Sequence, residues 1–362
     1  MQKLDDRQFY CEYDLRDARK RNAWKESFRE PASHQKEAIE KIAKWYKSHP
    51  KPYAGGILVL PTGGGKTFTA LRFLCENALS DGFKVLWLAH THHLLEQAYA
   101  SFPEHVGKIS EPRDHLNVRV VSGTVGHFRP ASISSQDDVI IATLQTITRA
   151  YKENHPSLNS FLDSAGSKLL VVFDEAHWLW PSGTYRDALP GRINWIMTAL
   201  VNYRVPVGFV TTPQFMRSPK KVELKSCWTS EQFIGRIGHY QKLPDSLGEA
   251  DLAKVARALL PEGDNRSIEL LVTYAQASAK YLAGIESAVR RARYLVRKEQ
   301  RERVVSADIR RAIKEGVIPS DSALAQALAE PAKTGRRRSA MPINDPLIAP
   351  VDQSTRAGSE AV

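Results

Sequence analysis

Cysteine is scarce in this chain. Cys11, Cys75 and Cys227 are the only three in 362 residues, and they are scattered. That excludes a disulfide framework and the ligand spacing of a zinc site. No apolar run approaches the roughly 20 residues that cross a bilayer, so no membrane association is expected. The opening MQKLDDRQFYCEYD has no apolar core of a secretory signal. Together these absences lead to the expectation of a cytoplasmic protein in a reducing compartment. There is no internal repeat. Acidic residues are outnumbered, 40 Asp and Glu against 51 Lys and Arg, for a net charge of +11. Such an excess attracts polyanions, DNA and RNA included, through their phosphates. A basic but merely solvated surface is the plainer alternative. With 42% hydrophobic and 25% charged residues, the composition is that of an ordinary globular protein of one large or two modest domains.

The pattern along the chain changes twice. Residues 1–50 are charged and helical in pattern, with Ile39, Ile42, Ala43 and Tyr46 on one face and residues 1–20 expected to be poorly ordered. Between 51 and 245, short apolar runs alternate with helical patterns. The runs are GILVL (56–60), KVLWLA (84–89), VRVV (118–121), DVIIAT (138–143), LLVVF (169–173) and VPVGFV (205–210). Val- and Ile-rich runs without polar alternation predict strands buried on both faces, hence a doubly wound parallel α/β sheet. Residues 246–318 contain no strand-like run. Helices are expected over 249–260, 267–283, 285–300 and 306–315, separated at Gly263, Gly284 and the Val305–Ser306 junction, with Ser306 as an N-cap. The whole reads as an α/β core followed by a smaller all-α lid. From 319 to 362 the chain is expected to be a disordered basic tail.

Two of the apolar runs carry chemistry. GGILVLPTGGGKT (55–67) leads a strand into a glycine loop ending in Lys66-Thr67-Phe68. Gly63, Gly64 and Gly65 let the backbone approach phosphates and turn its N–H groups inward, and the helix that follows presents its N-terminus to the anion. Lys66 is expected on the β- and γ-phosphates and the Thr67 hydroxyl on Mg²⁺. The usual G-x-x-x-x-G-K-T pattern wants glycine at 60, where this chain has Leu60. LLVVFDEAH (169–177) ends a second strand in Asp174-Glu175. Adjacent acids there are costly to desolvate unless a cation uses them. Asp174 is the expected Mg²⁺ partner, and Glu175 the base for the attacking water. ATP with Mg²⁺ is therefore the expected ligand.

These residues resemble the superfamily 2 helicases and translocases of the DEAH type. PTGGGKT is similar to their first motif and Asp174-Glu175-Ala176-His177 to their second. WLAHTHHLLEQA (87–98) and IATLQTI (141–147) resemble their nucleic-acid-proximal segments, and VGFVTTP (207–213) resembles their coupling motif, with Thr212 where alanine is usual. Gln35 in SHQKEAIEKI resembles the glutamine that reads adenine. The resemblance covers 29–213 and then fails. QFIGRIGH (232–239) matches a late helicase motif with His239 in place of the last arginine, yet only residues 214–231 precede it, too few for a second RecA-like domain.

The remainder, from GRIGHYQKLPDSL through SADIRRAI, resembles the end of a AAA+ core and its lid, as in transposition-associated and origin-recognition-like ATPases. That resemblance implies Arg236 as an arginine finger reaching a neighbouring subunit, Arg266 as a lid sensor acting in cis, and Thr211 or Thr212 as the first sensor. It further implies self-association into a ring or filament and a partner enzyme. The interval between Lys66 and Asp174 is long for that family, which predicts an added strand and helix. A helicase or translocase, and an ATP-switched adaptor with slow turnover, are the alternatives. His90, His92 and His93 fit nucleic-acid-proximal or plain loop positions better than a metal site. Trp178 and Trp180 are expected to pack rather than stack on bases. The arginines of 290–303 and Arg336-Arg337-Arg338 are either phosphate contacts or solvated charge.

Overall fold

The structure, a computed structural model, describes residues 9–23, 30–48, 55–61, 63–181, 189–242, 248–278 and 280–316. Contacts divide the chain into Met1–Leu328 and Ala329–Val362. The second unit lies outside the described residues, as do the expected tail, Arg336-Arg337-Arg338 and Thr62 of the loop.

Eight strands form one sheet: β1 (Tyr10–Asp14), β2 (Gly56–Val59), β3 (Lys84–Ala89), β4 (His115–Val121), β5 (Val139–Thr143), β6 (Leu169–Asp174), β7 (Val207–Thr211) and β8 (His239–Lys242). Their order is β1-β4-β5-β3-β6-β7-β2-β8. Every pairing is parallel except β1 on β4. All six apolar runs became strands. Their alternate residues explain the two layers. Leu58, Val85, Trp87, Val139, Ile141 and Val172 face one core, while Ile57, Val59, Leu86, Leu88, Ile140 and Val171 face the other. Strands buried on both sides have no polar face to show, hence their uninterrupted apolar sequences.

The first core is covered by α1 (Leu15–Ala23), α2 (Ser33–Ser48), α3 (Lys66–Phe73) and α4 (His92–Ser101). The second lies under α5 (Leu144–Lys152), α6 (Pro156–Ala165), α7 (Gly191–Ile196), α8 (Gln214–Glu223) and α9 (Glu231–Ile234). The lid is a separate apolar cluster within α10 (Glu249–Leu259), α11 (Asn265–Ala277), α12 (Tyr281–Lys298) and α13 (Ser306–Gly316). No strand follows Lys242 among the described residues. Three strands, β3, β4 and β5, lie between the two nucleotide motifs, with β4 and β5 added beyond β3. That addition accounts for the long interval between Lys66 and Asp174.

Four local expectations are corrected. Tyr10–Asp14 is a strand, held by the β4 ladder and by Arg119, whose guanidinium sits 4.5 Å from the Tyr10 ring centroid. His239–Lys242 is a strand paired with β2. Gly284 lies inside α12 rather than between helices, because its bare Cα lets Tyr274 and Lys280 pack against it. Ser306 is the first residue of α13, and the capping group is the Asp308 carboxylate. Asp308 accepts the Val305 N–H at 3.0 Å and is itself gripped by Arg301.

The two tryptophans after the acidic motif part company. Trp180 is 6% exposed and packs edge-on against Phe215, Trp228 and Phe233. Trp178 is 55% exposed and lies parallel to His90, 5.7 Å away. Trp180→Ala is therefore expected to lower the free energy of unfolding by about 3–5 kcal/mol. Trp178→Ala should stay within about 0.5 kcal/mol of the parent. Urea titration of both variants measures the difference.

Candidate functional site

The carboxyl ends of β2, β6 and β7 converge on one cleft. β7 sits between β2 and β6, so the loop after β2 and the acids ending β6 face each other across one strand. Gly63 and Gly65 adopt φ of 77° and 79°, a left-handed geometry that side chains resist. The N-terminus of α3 has no side-chain cap. Its first-turn N–H groups lack intrahelical acceptors and suit an anion.

Lys66 is 7% exposed, and its Nζ lies 3.1 Å from Glu175 Oε1. The other carboxylate oxygen, Glu175 Oε2, lies 3.2 Å from His177 Nδ1. Burial alone would raise the Glu175 pKa, but the His177 and Lys66 contacts outweigh it and hold it below the ordinary glutamate value. Asp174 behaves oppositely. Burial, then the neighbouring Glu175 charge, push it up to about 7, against the pull of Lys66 and the Thr67 hydroxyl. Two adjacent carboxyls are thus driven apart in acidity, Glu175 held ionised and Asp174 titrating near neutrality. Glu175 is also held at φ 49°, a rare conformation for a side-chain-bearing residue, while its N–H donates to Asp174 Oδ1 at 2.9 Å. The remaining oxygen, Asp174 Oδ2, is buried without a hydrogen-bond partner among the described residues. A buried acceptor left open beside a threonine hydroxyl fits a cation such as Mg²⁺.

The other candidates divide. Thr212 follows β7, is 7% exposed, and carries a buried hydroxyl without a partner among the described residues, between the loop and the acids. Thr211 ends the strand itself. Gln35 lies against the loop, with Nε2 donating to the Gly64 carbonyl at 3.3 Å and Oε1 accepting the Ala32 N–H at 2.9 Å. Both ends of its amide are engaged by the protein here. The Phe68 ring packs behind the loop against His105, at 4.7 Å, and Arg72, at 5.5 Å. What Phe68 can offer a phosphate is its backbone N–H.

Arg236 is exposed and precedes β8, whose first residue His239 pairs with Gly56 at the start of β2. It lines a cavity with Gly55, Val205 and Pro206 at the amino ends of the strands. It therefore stands at the end of the sheet opposite Lys66 and Asp174. Arg266 opens α11, the lid helix before α12, whose Leu282 meets the loop.

Sequence reasoning missed what does meet the loop. Leu282 N–H donates to the Gly63 carbonyl at 3.2 Å. A Cβ on Gly63 would sit 2.2 Å from the Lys280 carbonyl. Buried His34 joins three parts: its Nε2 is 3.3 Å from the Gly64 carbonyl, and its Nδ1 is 3.7 Å from Asp251 of α10. His177 was legible only as a motif letter. No local signal marks Leu282, since its contact is made across more than 200 positions of chain.

The order of strands, the glycine loop and the acidic strand end define a P-loop nucleoside triphosphatase fold of the additional-strand type, joined to a helical lid. Residues 29–214, just over half the chain, match the family model of the type III restriction enzyme res subunit, and the chain belongs to that family of P-loop ATPases. A search of curated proteins returned no match. Among solved structures, the UvsW helicase of bacteriophage T4 is 19% identical, with a TM-score of 0.34 over 59% of this chain and 60% of that one. The ATP-dependent type ISP restriction-modification enzyme LlaBIII bound to DNA is 21% identical, with a TM-score of 0.33 over 51% of this chain and 13% of that one. The ADP form of the Aeropyrum pernix ORC2 protein is 14% identical, with a TM-score of 0.45 over 82% and 72%.

The raised Asp174 carboxyl sets a pH dependence. Its folded pKa, about 7, exceeds the unfolded value of 3.8. The nucleotide-free fold then binds the extra proton, so its stability falls as pH rises from the ordinary carboxylate range to about 7 and is flat above. Asp174→Asn is expected to flatten that slope and to stabilise the nucleotide-free protein at pH 8 by about 1–4 kcal/mol. The same variant should lose the added thermal stability that Mg-ATP confers. Calorimetric melts across pH 5–9, with and without Mg-ATP, read both effects.

Proposed function

We propose that this chain binds and hydrolyses ATP, acts on or next to DNA, and works as a nucleotide-dependent ring or filament that regulates a partner enzyme. The observation that carries the reading is the convergence of Lys66, Glu175 and Asp174 with an open buried oxygen. Mg-ATP, when bound, supplies a γ-phosphoryl group made electrophilic by the cation. The N–H groups of Gly63, Gly65 and Phe68 and the Lys66 ammonium hold the phosphates, joined by the Gly64 N–H once it leaves the Pro61 carbonyl, 3.0 Å away. Thr67 and Asp174 hold the metal. Glu175, released from Lys66 by the competing phosphates, takes the proton of the attacking water at its carboxylate, and His177 keeps that carboxylate oriented. Thr212 senses the γ-phosphate, and Gln35 reads adenine once its loop contact yields. Arg236 stabilises the developing charge in a neighbour's pocket, since it cannot reach its own. Arg266, at the start of α11 in the lid, acts in cis as the lid sensor.

A motor reading, with a second RecA-like domain supplied by another chain, is favoured by the family match over the helicase-like core. ATP hydrolysis measured against protein concentration, with and without DNA, separates the two. Under the proposal, specific activity climbs steeply with concentration, and Arg236→Ala lowers it by about 10³-fold or more. Mixing Arg236→Ala with Glu175→Gln should restore part of it, because each supplies what the other lacks. Turnover stimulated by DNA but independent of concentration would establish the motor instead. Negligible turnover with tight binding would leave an ATP-switched adaptor.

A further inference from the structure

On α12, eight residues past the contact with Gly63, a charged face begins. Arg290, Arg293, Tyr294 and Arg297 recur at the spacing of one helical face and line a groove of about 490 Å³. Leu259 and Val289 are its apolar lining, and Glu286 is the one acid among its lining residues. Tyr294 is 55% exposed, with Arg291 5.2 Å from its ring centroid.

The arginines of this region are not equivalent. Arg301 and Arg311 are engaged by Glu299, Asp308 and Glu315. Arg293 is anchored to the Leu259 carbonyl at 2.8 Å and reaches Glu262 at 3.4 Å. Arg290 has only an exposed pair with Glu286 at 3.4 Å, a contact that contributes little. Arg297 makes no ion pair among the described residues. The groove thus has two cations turned to solvent on either side of a ring, over an apolar base. Phosphates would suit the cations and an unstacked base would suit the ring. A duplex could use only the former.

We propose that the α12 groove binds single-stranded nucleic acid, with Arg290 and Arg297 on its phosphates and Tyr294 stacked on a base. This deepens the proposed function, resting on its polynucleotide partner, and names a surface on the lid rather than the helicase-like core. Because α12 is one continuous helix, the groove lies only about 12–22 Å from the Leu282–Gly63 contact. A strand bound there bears on the element that covers the phosphate loop.

The test uses the full chain without nucleotide and a fluorescein-labelled oligodeoxythymidine, followed by anisotropy at several salt concentrations. Arg290→Glu with Arg297→Glu is expected to weaken binding about tenfold or more and to reduce the slope of log K against log salt by about 1.4, for two phosphates. Lys20→Glu with Arg21→Glu, an equal charge change on exposed α1, should change affinity less than about twofold. Tyr294→Ala should weaken the single strand about fivefold or more and leave a duplex of equal length unchanged. Oligouridine run beside the deoxy strand distinguishes RNA from DNA as the source. A 5-bromodeoxyuridine strand cross-linked by light should mark the peptide holding Tyr294. Thermal melts and binding of a non-hydrolysable ATP analogue confirm that each variant is folded. Unchanged affinity in the Arg290→Glu, Arg297→Glu variant, or adducts confined to residues 87–98 and 141–147, overturns the groove and leaves the proposed function standing. No binding of any strand by the parent chain overturns both.

Discussion

Three ionisable groups share a pocket that water barely reaches. Lys66 and Glu175 lie 3.1 Å apart, and Asp174 is 4% exposed beside them. Interactions of this kind carry a large desolvation cost, which is offset only when every charge has a counterpart. The nucleotide-free arrangement approaches that condition by pairing Lys66 with Glu175, while burial raises the Asp174 pKa to about 7. Under the proposed function, a ligand carrying phosphates and a cation would replace these accommodations at once. Phosphates would compete with Glu175 for Lys66, and the cation would take the place of a proton at Asp174. Such a balance would favour a metal-bound polyphosphate over a bare anion.

The lid belongs to the same constraint. It has its own apolar cluster, and it meets the loop through a backbone hydrogen bond from Leu282 and through His34, which is shared with Asp251. Neither contact buries enough apolar surface to fix the lid by itself. A hydrogen bond is worth about 1 kcal/mol net, so the contact is strong enough to bias a position and weak enough to be released. The glycine at 63 is then needed twice, once for its left-handed turn and once because a side chain would strike the Lys280 carbonyl. Loop conformation and lid position are coupled through a single residue.

What could be read from the chain beforehand follows the range of the forces involved. Six strands were legible because each buries both faces and is apolar throughout. β1 and β8 were not, since YCEYD and HYQK are held by a neighbour's ladder rather than by their own hydrophobicity. The lid helices were legible from periodicity, but Gly284 misled, because a glycine that ends a helix and one that admits a close neighbour look alike in sequence. Lys66, Thr67, Asp174 and Glu175 were legible because their chemistry demands fixed local spacing. Leu282 and His34 were not, because tertiary packing alone decides which end of a helix reaches the loop.

Strand polarity finally decides what kind of site this is. In a parallel sheet all carboxyl ends point one way, and the loop, the acids and Thr212 collect there. A residue that precedes a strand must lie at the other end. Arg236 precedes β8, so no side-chain rotation brings it to the pocket of its own chain, and neither does the lid, which docks on the carboxyl side. An arginine at that amino edge can serve phosphoryl transfer only for another molecule whose carboxyl edge faces it. Under the proposed function, the dependence of turnover on assembly is thus a consequence of the direction in which seven parallel strands run, rather than of any particular feature of the interface.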